Sequence, residues 1–270
     1  MKKWLIWASL WNLSGAAIAQ NGSFEQREMV KTVVVDAGHG GHDSGCSGHH
    51  HLEKNNNLAV ALRLGALIQQ RYPQIHVIYT RSSDVFIPLE ERAAIANQAG
   101  ADLFMSVHCN YNGSRKHHAS GTETYYFNSD NHADEWLQAR ADMAHVKDSS
   151  SHLAPIRSFR SEKSRKIAFL IENAMQNVTK RHSRGVKIDA LKVLYLTKMP
   201  SVLSEIGFLT DAHDGAYISS QEGQSEVAQA LFQAFEAYID PSPLPVRNAL
   251  ALVELIPLRM LPTEVASINK

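Results

Sequence analysis

Two histidines and two glutamates stand in short, distinctive settings far apart in the chain. His39 lies in Val35-Asp36-Ala37-Gly38-His39-Gly40-Gly41, Glu53 in Leu52-Glu53-Lys54, and His108 in Ser106-Val107-His108-Cys109-Asn110. Two imidazoles and one carboxylate make a zinc set that leaves a coordination position open for water. Glu205, in Ser201-Val202-Leu203-Ser204-Glu205-Ile206-Gly207-Phe208, adds a carboxylate at the end of an apolar, strand-like run. An unpaired carboxylate among apolar residues is costly, so a buried glutamate there needs a partner such as an arginine or a catalytic reason. One Zn2+ per chain, held by His39, Glu53 and His108, with Glu205 as general base, is equipment for metal-assisted hydrolysis.

Each residue taken singly has a plainer reading. A lone histidine after a strand is usually packed or on the surface, and Glu53 could merely complement a helix dipole. His49, His50 and His51 read as a polar loop near the cleft mouth, and His42, His117 and His118 are given no role. Asp36 and Asn110 are candidates to accept the free N–H of a ligating imidazole, which in metal sites usually goes to an oxygen. Cys46 and Cys109 are the only cysteines. Two thiols do not make a disulfide scaffold, and they read as packed side chains rather than a bridge pinning the metal loop.

The elements that must position these groups follow from periodicity. Thr32-Val33-Val34-Val35 is β-branched and apolar, the pattern of a buried central strand, and a glycine-rich loop follows it. The spacing predicts helices over Asn57–Arg71, Pro88–Gln98, Ser164–Lys180 and Gln221–Ile239. It predicts strands over His76–Tyr79, Leu103–Val107, Thr122–Phe127, Lys192–Leu196 and Ser201–Glu205. Alternating strands and helices indicate an α/β fold: a single domain with a twisted, mostly parallel (mixed) sheet and helices on both faces. Ligands of such sheets bind at the carboxyl ends of the strands, where His39, His108 and Glu205 would gather.

The ends read differently. Lys2 and Lys3, an apolar stretch and Ala17-Ile18-Ala19 form a signal peptide over residues 1–19, followed by a polar lead-in over 20–30. Residues 31–240 form the catalytic domain, with a divergent insertion over about 128–164, and Pro241, Pro243 and Pro245 open a tail over 241–270. The expectation is an exported, periplasmic or extracellular monomer without a stable membrane span. A net charge of +0 gives no electrostatic case for nucleic acid.

The same motifs carry a family resemblance from about Thr32 to about Tyr238. It includes Thr80-Arg81 with Asp84, Leu89-Glu90-Glu91-Arg92, Ala101-Asp102-Leu103-Phe104, Gly121-Thr122-Glu123-Thr124 and Pro200-Ser201-Val202-Leu203. In this order they resemble the zinc-dependent N-acetylmuramoyl-L-alanine amidases of the third amidase family. The resemblance implies peptidoglycan as substrate, cleaved between N-acetylmuramic acid and L-alanine. It also implies His39, Glu53 and His108 as zinc ligands and Glu205 as the catalytic group. The chain departs from the family at Ala37, where proline is usual, and in Asn55-Asn56-Asn57. Two other readings stay open at this stage: a zinc peptidase acting on another bond, and a catalytically dead wall-binding protein. Some relatives carry an insertion whose helix covers the site until an activator protein moves it. Asp134, Glu135, Trp136 and Asp142 give the divergent stretch the means for such regulation.

Overall fold

The computed structural model describes residues 29–113, 119–128 and 154–240. The expected signal peptide, most of the lead-in, His117, His118, the tail, and the insertion residues Asp134, Glu135, Trp136 and Asp142 lie outside the described residues.

The β-branched run of Thr32–Ala37 forms β1, and all of it beyond Thr32 is buried. It pairs in parallel with β4 (His76–Tyr79) on one side and β5 (Leu103–Asn110) on the other. Beyond β5 lie β8 (Ser201–Phe208), β6 (Thr122–Tyr126) and β7 (Ser183–Ile188), giving the order β4-β1-β5-β8-β6-β7. The first four are mutually parallel; β6 runs antiparallel to β8, and β7 follows the direction of β6. A small antiparallel hairpin, β2 (Ser47–Gly48) with β3 (His51–Leu52), interrupts the loop after β1.

Alternation along the strands makes the sheet two-sided. Val33, Val35, Met105, Val107, Val202 and Ile206 belong to a core shared with helices α1 (Glu53–Arg71), α3 (Ala154–Thr179) and α6 (Gln221–Ile239). Val34, Phe104 and Leu203 face the other way, against Ala96 of α2 (Leu89–Gln98) and Val193 and Leu194 of α4 (Lys192–Tyr195). A short helix α5 (Ala212–Ser219) follows β8, started by Asp211, whose side chain accepts the backbone N–H groups of His213 and Asp214. Among the described residues no helix is long and apolar enough to cross a membrane.

Several expectations are corrected. Lys192–Tyr195 is a helical turn rather than a strand, because four residues of mixed apolar character satisfy either geometry. Strand β8 runs three residues past Glu205 and β5 continues to Asn110, so Glu205 and His108 lie within strands and not at their ends. Helix α1 starts at Glu53, as the helix-dipole reading of that residue requires, and the apolar periodicity sets in only from Asn57.

Candidate metal centre and active site

The loop after β1 is held from below by two arginines. Arg92 of α2 is almost wholly buried, and its Nη1 sits 2.7 Å from Asp36 Oδ1 and gives a hydrogen bond to the Ala37 carbonyl. Its Nη2 donates to the carbonyl of His39 at 2.7 Å. Arg81 donates to the carbonyls of Ala37, Gly38 and Lys54, each at 2.8 Å. Two guanidiniums thus satisfy carbonyls that a ligand loop cannot pair with a sheet. Asp36 also accepts hydrogen bonds from Thr80 Oγ1 and Ser106 Oγ, each at 2.6 Å. Burial alone would raise its pKa, yet Arg92 and the two hydroxyls hold it below the ordinary value.

Above this platform His39 takes a left-handed backbone conformation, φ 60°, which a non-glycine residue rarely adopts and which often marks a functional site. Its Nδ1–H donates to Asp43 Oδ2 at 2.8 Å, which fixes the tautomer and turns Nε2 toward Glu53. Glu53 Oε1 lies 3.2 Å from His39 Nε2 and 3.0 Å from His108 Nδ1. Ligand atoms of the three residues all lie within 4.8 Å of one another, and the two rings meet edge to face at 4.9 Å. Glu53 is the buried member; Cys46 N–H donates to its Oε2 at 2.8 Å and Cys109 N–H to its Oε1 at 3.0 Å. Burial would raise its pKa, but the two imidazoles drive it far down, so the group is a carboxylate. Burial likewise works against His39 ionisation, and Glu53 and Asp43 override it to raise the pKa to about 8. Two imidazoles gathered on one carboxylate fit zinc, which takes nitrogen and oxygen donors in this ratio in hydrolytic sites.

Gly38 is required here: a Cβ at that position would lie 2.2 Å from the His108 ring atoms Cε1 and Nε2. Asn57, from the unusual asparagine run, is buried and donates to Glu53 Oε1 and to the Gly38 carbonyl at 3.3 Å each. It ties the ligand helix to the loop that departs from the family at Ala37.

Glu205 pairs in register with His108 on the neighbouring strand, and Glu123 pairs with Glu205 from the other side. Direct cross-strand partners project on one face, so His108, Glu205 and Glu123 form a row. Glu205 Oε2 is buried and takes no hydrogen-bond partner among the described residues. No arginine among the described residues pairs with it. Burial, with the charges of Glu53 and Glu123, raises its pKa to about 7, against the opposing pull of His108 and His39. This carboxyl can hold or release a proton near neutrality beside the ligand cluster, as a general acid–base group must.

The structure brings His39, Glu53, His108 and Glu205 together. It does not place Asp36 or Asn110 against an imidazole: Asp36 anchors the loop through Arg92, and Asn110 Nδ2 donates to Glu123 Oε1 at 2.6 Å. The imidazole partner is Asp43, four residues after His39, which no sequence motif distinguished from an ordinary loop aspartate. His49 and His50 occupy the hairpin turn with positive φ and are exposed; His42 stacks on Phe86 at 4.2 Å. Both cysteines are free thiols: Cys46 Sγ reaches the Cys109 carbonyl at 3.7 Å, and Cys109 Sγ reaches Asn57 Oδ1 at 3.4 Å.

Residues 33–237, which hold all four of these groups, match the family model described as N-acetylmuramoyl-L-alanine amidase. The chain belongs to this family. The uncharacterized protein YqiI of Bacillus subtilis (strain 168) is 34% identical over 238 residues, which cover 87% of this chain and 98% of that protein. The N-acetylmuramoyl-L-alanine amidase LytC of the same organism is 30% identical over 77% of this chain, although the match spans only 35% of LytC. Among solved structures, the catalytic domain of the amidase CwlV from Bacillus (Paenibacillus) polymyxa var. colistinus is similar with a TM-score of 0.62 and 31% identity. That match covers 78% of this chain and 98% of the domain. The Clostridioides difficile amidase CwlD, solved in complex with the GerS lipoprotein, matches with a TM-score of 0.60 at 26% identity over 77% of this chain and 98% of CwlD. The amidase family acts on peptidoglycan, so the general activity of this chain is that of a wall amidase. The mixed sheet with helices on both faces is the architecture of those structures.

Proposed function

We propose that the chain hydrolyses the amide between N-acetylmuramic acid and the first stem-peptide residue, with His39, Glu53 and His108 holding one zinc ion and Glu205 moving the proton. The observation that carries the assignment of Glu205 is its buried Oε2, which has no hydrogen-bond partner among the described residues, on a residue in register beside His108. A bound zinc ion supplies Lewis acidity toward water and the scissile carbonyl. Glu205 accepts the proton of the attacking water. It then returns that proton to the amine as the carbon–nitrogen bond breaks. The products are a lactyl carboxylate on the sugar and a peptide with a free amine. Asp43 keeps Nδ1 of His39 protonated and its Nε2 free to ligate. Arg81 and Arg92 hold the loop geometry on which that ring depends.

Mass analysis of muropeptides after digestion with the zinc-loaded protein tests this reading. Intact stem peptides with a free L-alanine amine support it; cleavage inside the peptide would make the chain a peptidase. Export is proposed on Lys2, Lys3 and Ala17-Ile18-Ala19, together with the wall substrate of the family. A regulatory protein partner is proposed by analogy with CwlD, which was solved with GerS bound.

A further inference from the structure

Side-chain contacts from Glu123 carry the row His108–Glu205–Glu123 on to the edge strand β7, and there the charge changes sign. Glu123 is buried, and four donors surround it. Asn110 Nδ2 and Tyr125 Oη reach Oε1 at 2.6 and 2.8 Å, Arg184 Nε reaches Oε2 at 2.8 Å, and Lys187 Nζ meets the same oxygen. Burial would raise its pKa, but these contacts lower it to about 2, so Glu123 is a fixed carboxylate. One carboxylate against two cations leaves one positive charge over. Both cations remain about one-third exposed, 34% for Arg184 and 37% for Lys187. Arg184 gives only Nε to Glu123, so its two terminal Nη groups have no partner among the described residues. The guanidinium is held over the Phe208 ring at 5.1 Å, and the Lys187 ammonium lies 5.7 Å from the Tyr125 ring centroid. These are preorganised cations with donors to spare, held by Glu123, whose strand position pairs directly with the reacting carboxyl. A planar guanidinium with a free pair of N–H groups is suited to a carboxylate.

We infer that Arg184 and Lys187, steered by Glu123, form a subsite for a carboxylate of the stem peptide, one residue beyond the alanine whose amide is cut. The inference rests on the proposed amide hydrolysis, which places the peptide side of the scissile bond near Glu205. From there the next residue is within about two residue lengths, roughly 7 Å. The peptide is therefore recognised through an anionic second residue, and amidation of that carboxylate weakens the contact.

The test uses the zinc-loaded full chain and two probes: the dipeptide L-alanyl-γ-D-glutamate with its α-carboxylate free, and the same dipeptide as its α-amide. Calorimetry should show the free acid binding about tenfold more tightly, the size of one charge-assisted hydrogen bond. In Arg184→Gln and in Lys187→Gln the ratio between the two probes should fall toward one. The inference is overturned if the parent shows no preference, or if the preference survives both substitutions. It is also overturned if both variants weaken acid and amide by the same factor, since the cations then serve only to hold Glu123. Cleavage of a muramoyl-peptide is scored separately. A chain that prefers the acid but releases no peptide sinks the proposed hydrolysis and keeps the subsite. A chain that cleaves without preference sinks the subsite alone.

Discussion

Asp36 and Arg92 meet at 2.7 Å beneath the ligand loop, with side chains 1% and 2% exposed. Neither touches the ligand atoms, yet the pair fixes where β1 ends and where the carbonyls of Ala37 and His39 point. Breaking a buried pair by removing one partner strands the other charge. Arg92→Ala should cost about 3–5 kcal/mol of folding stability, read from urea unfolding. A loss below about 1 kcal/mol would mean that the loop is held by other contacts.

His39→Ala and His108→Ala should each abolish stoichiometric zinc, measured by elemental analysis of the purified protein. Asp43→Ala should keep the ligands but weaken zinc by about tenfold to a hundredfold, because the His39 ring loses its anchor. Unchanged affinity in Asp43→Ala would remove that aspartate from the account.

Glu205→Gln should bind zinc like the parent and lose about a hundredfold to ten-thousandfold in kcat. Turnover within a few-fold of the parent would show that another group moves the proton.

A pH effect follows from the same residue in the metal-free protein. Folding raises the Glu205 pKa from 4.5 to about 7, so between those values the folded chain binds more protons than the unfolded one. Stability from this group is present at low pH and falls as pH rises through that window. Glu205→Gln has no such titration. Relative to the parent it should therefore gain on the order of 3 kcal/mol between pH 4 and pH 8. Paired urea titrations at the two pH values decide it, and a gain in the opposite direction would contradict the raised pKa.

Thiol titration of the unfolded, unreduced protein should find both Cys46 and Cys109 reactive. Burial first, then the Glu53 carboxylate, pushes both thiols up and keeps them protonated in the folded chain. A titre of zero would restore the disulfide.

The cluster of His39, Glu53 and His108 was legible in the sequence because imidazole and carboxylate in glycine-flanked settings have few other uses, and because β1 and β5 are apolar enough to read as strands. Strand β7 was not, because Arg184, Gly185 and Lys187 break the alternation on an edge strand. Val193 and Leu194 fit a strand pattern yet form a helical turn, since a short buried run carries no period. Glu123 was visible as part of a motif, but its role depends on Arg184 and Lys187, which are 61 and 64 residues away. Asp43 and Asn57 act through distances that only the folded loop defines.

The place of β8 in the sheet has a consequence for timing. Among the described residues it is the last strand, yet it lies between β5 and β6 and supplies Glu205. A ribosome that has released everything through β7 has made His39, Glu53 and His108 but not Glu205. The half-built sheet also has a gap where its neighbours should meet. On the proposed mechanism such a nascent chain has no group to move the proton. The ability to cut a wall polymer arrives all at once, when one late strand slots into the middle of the sheet.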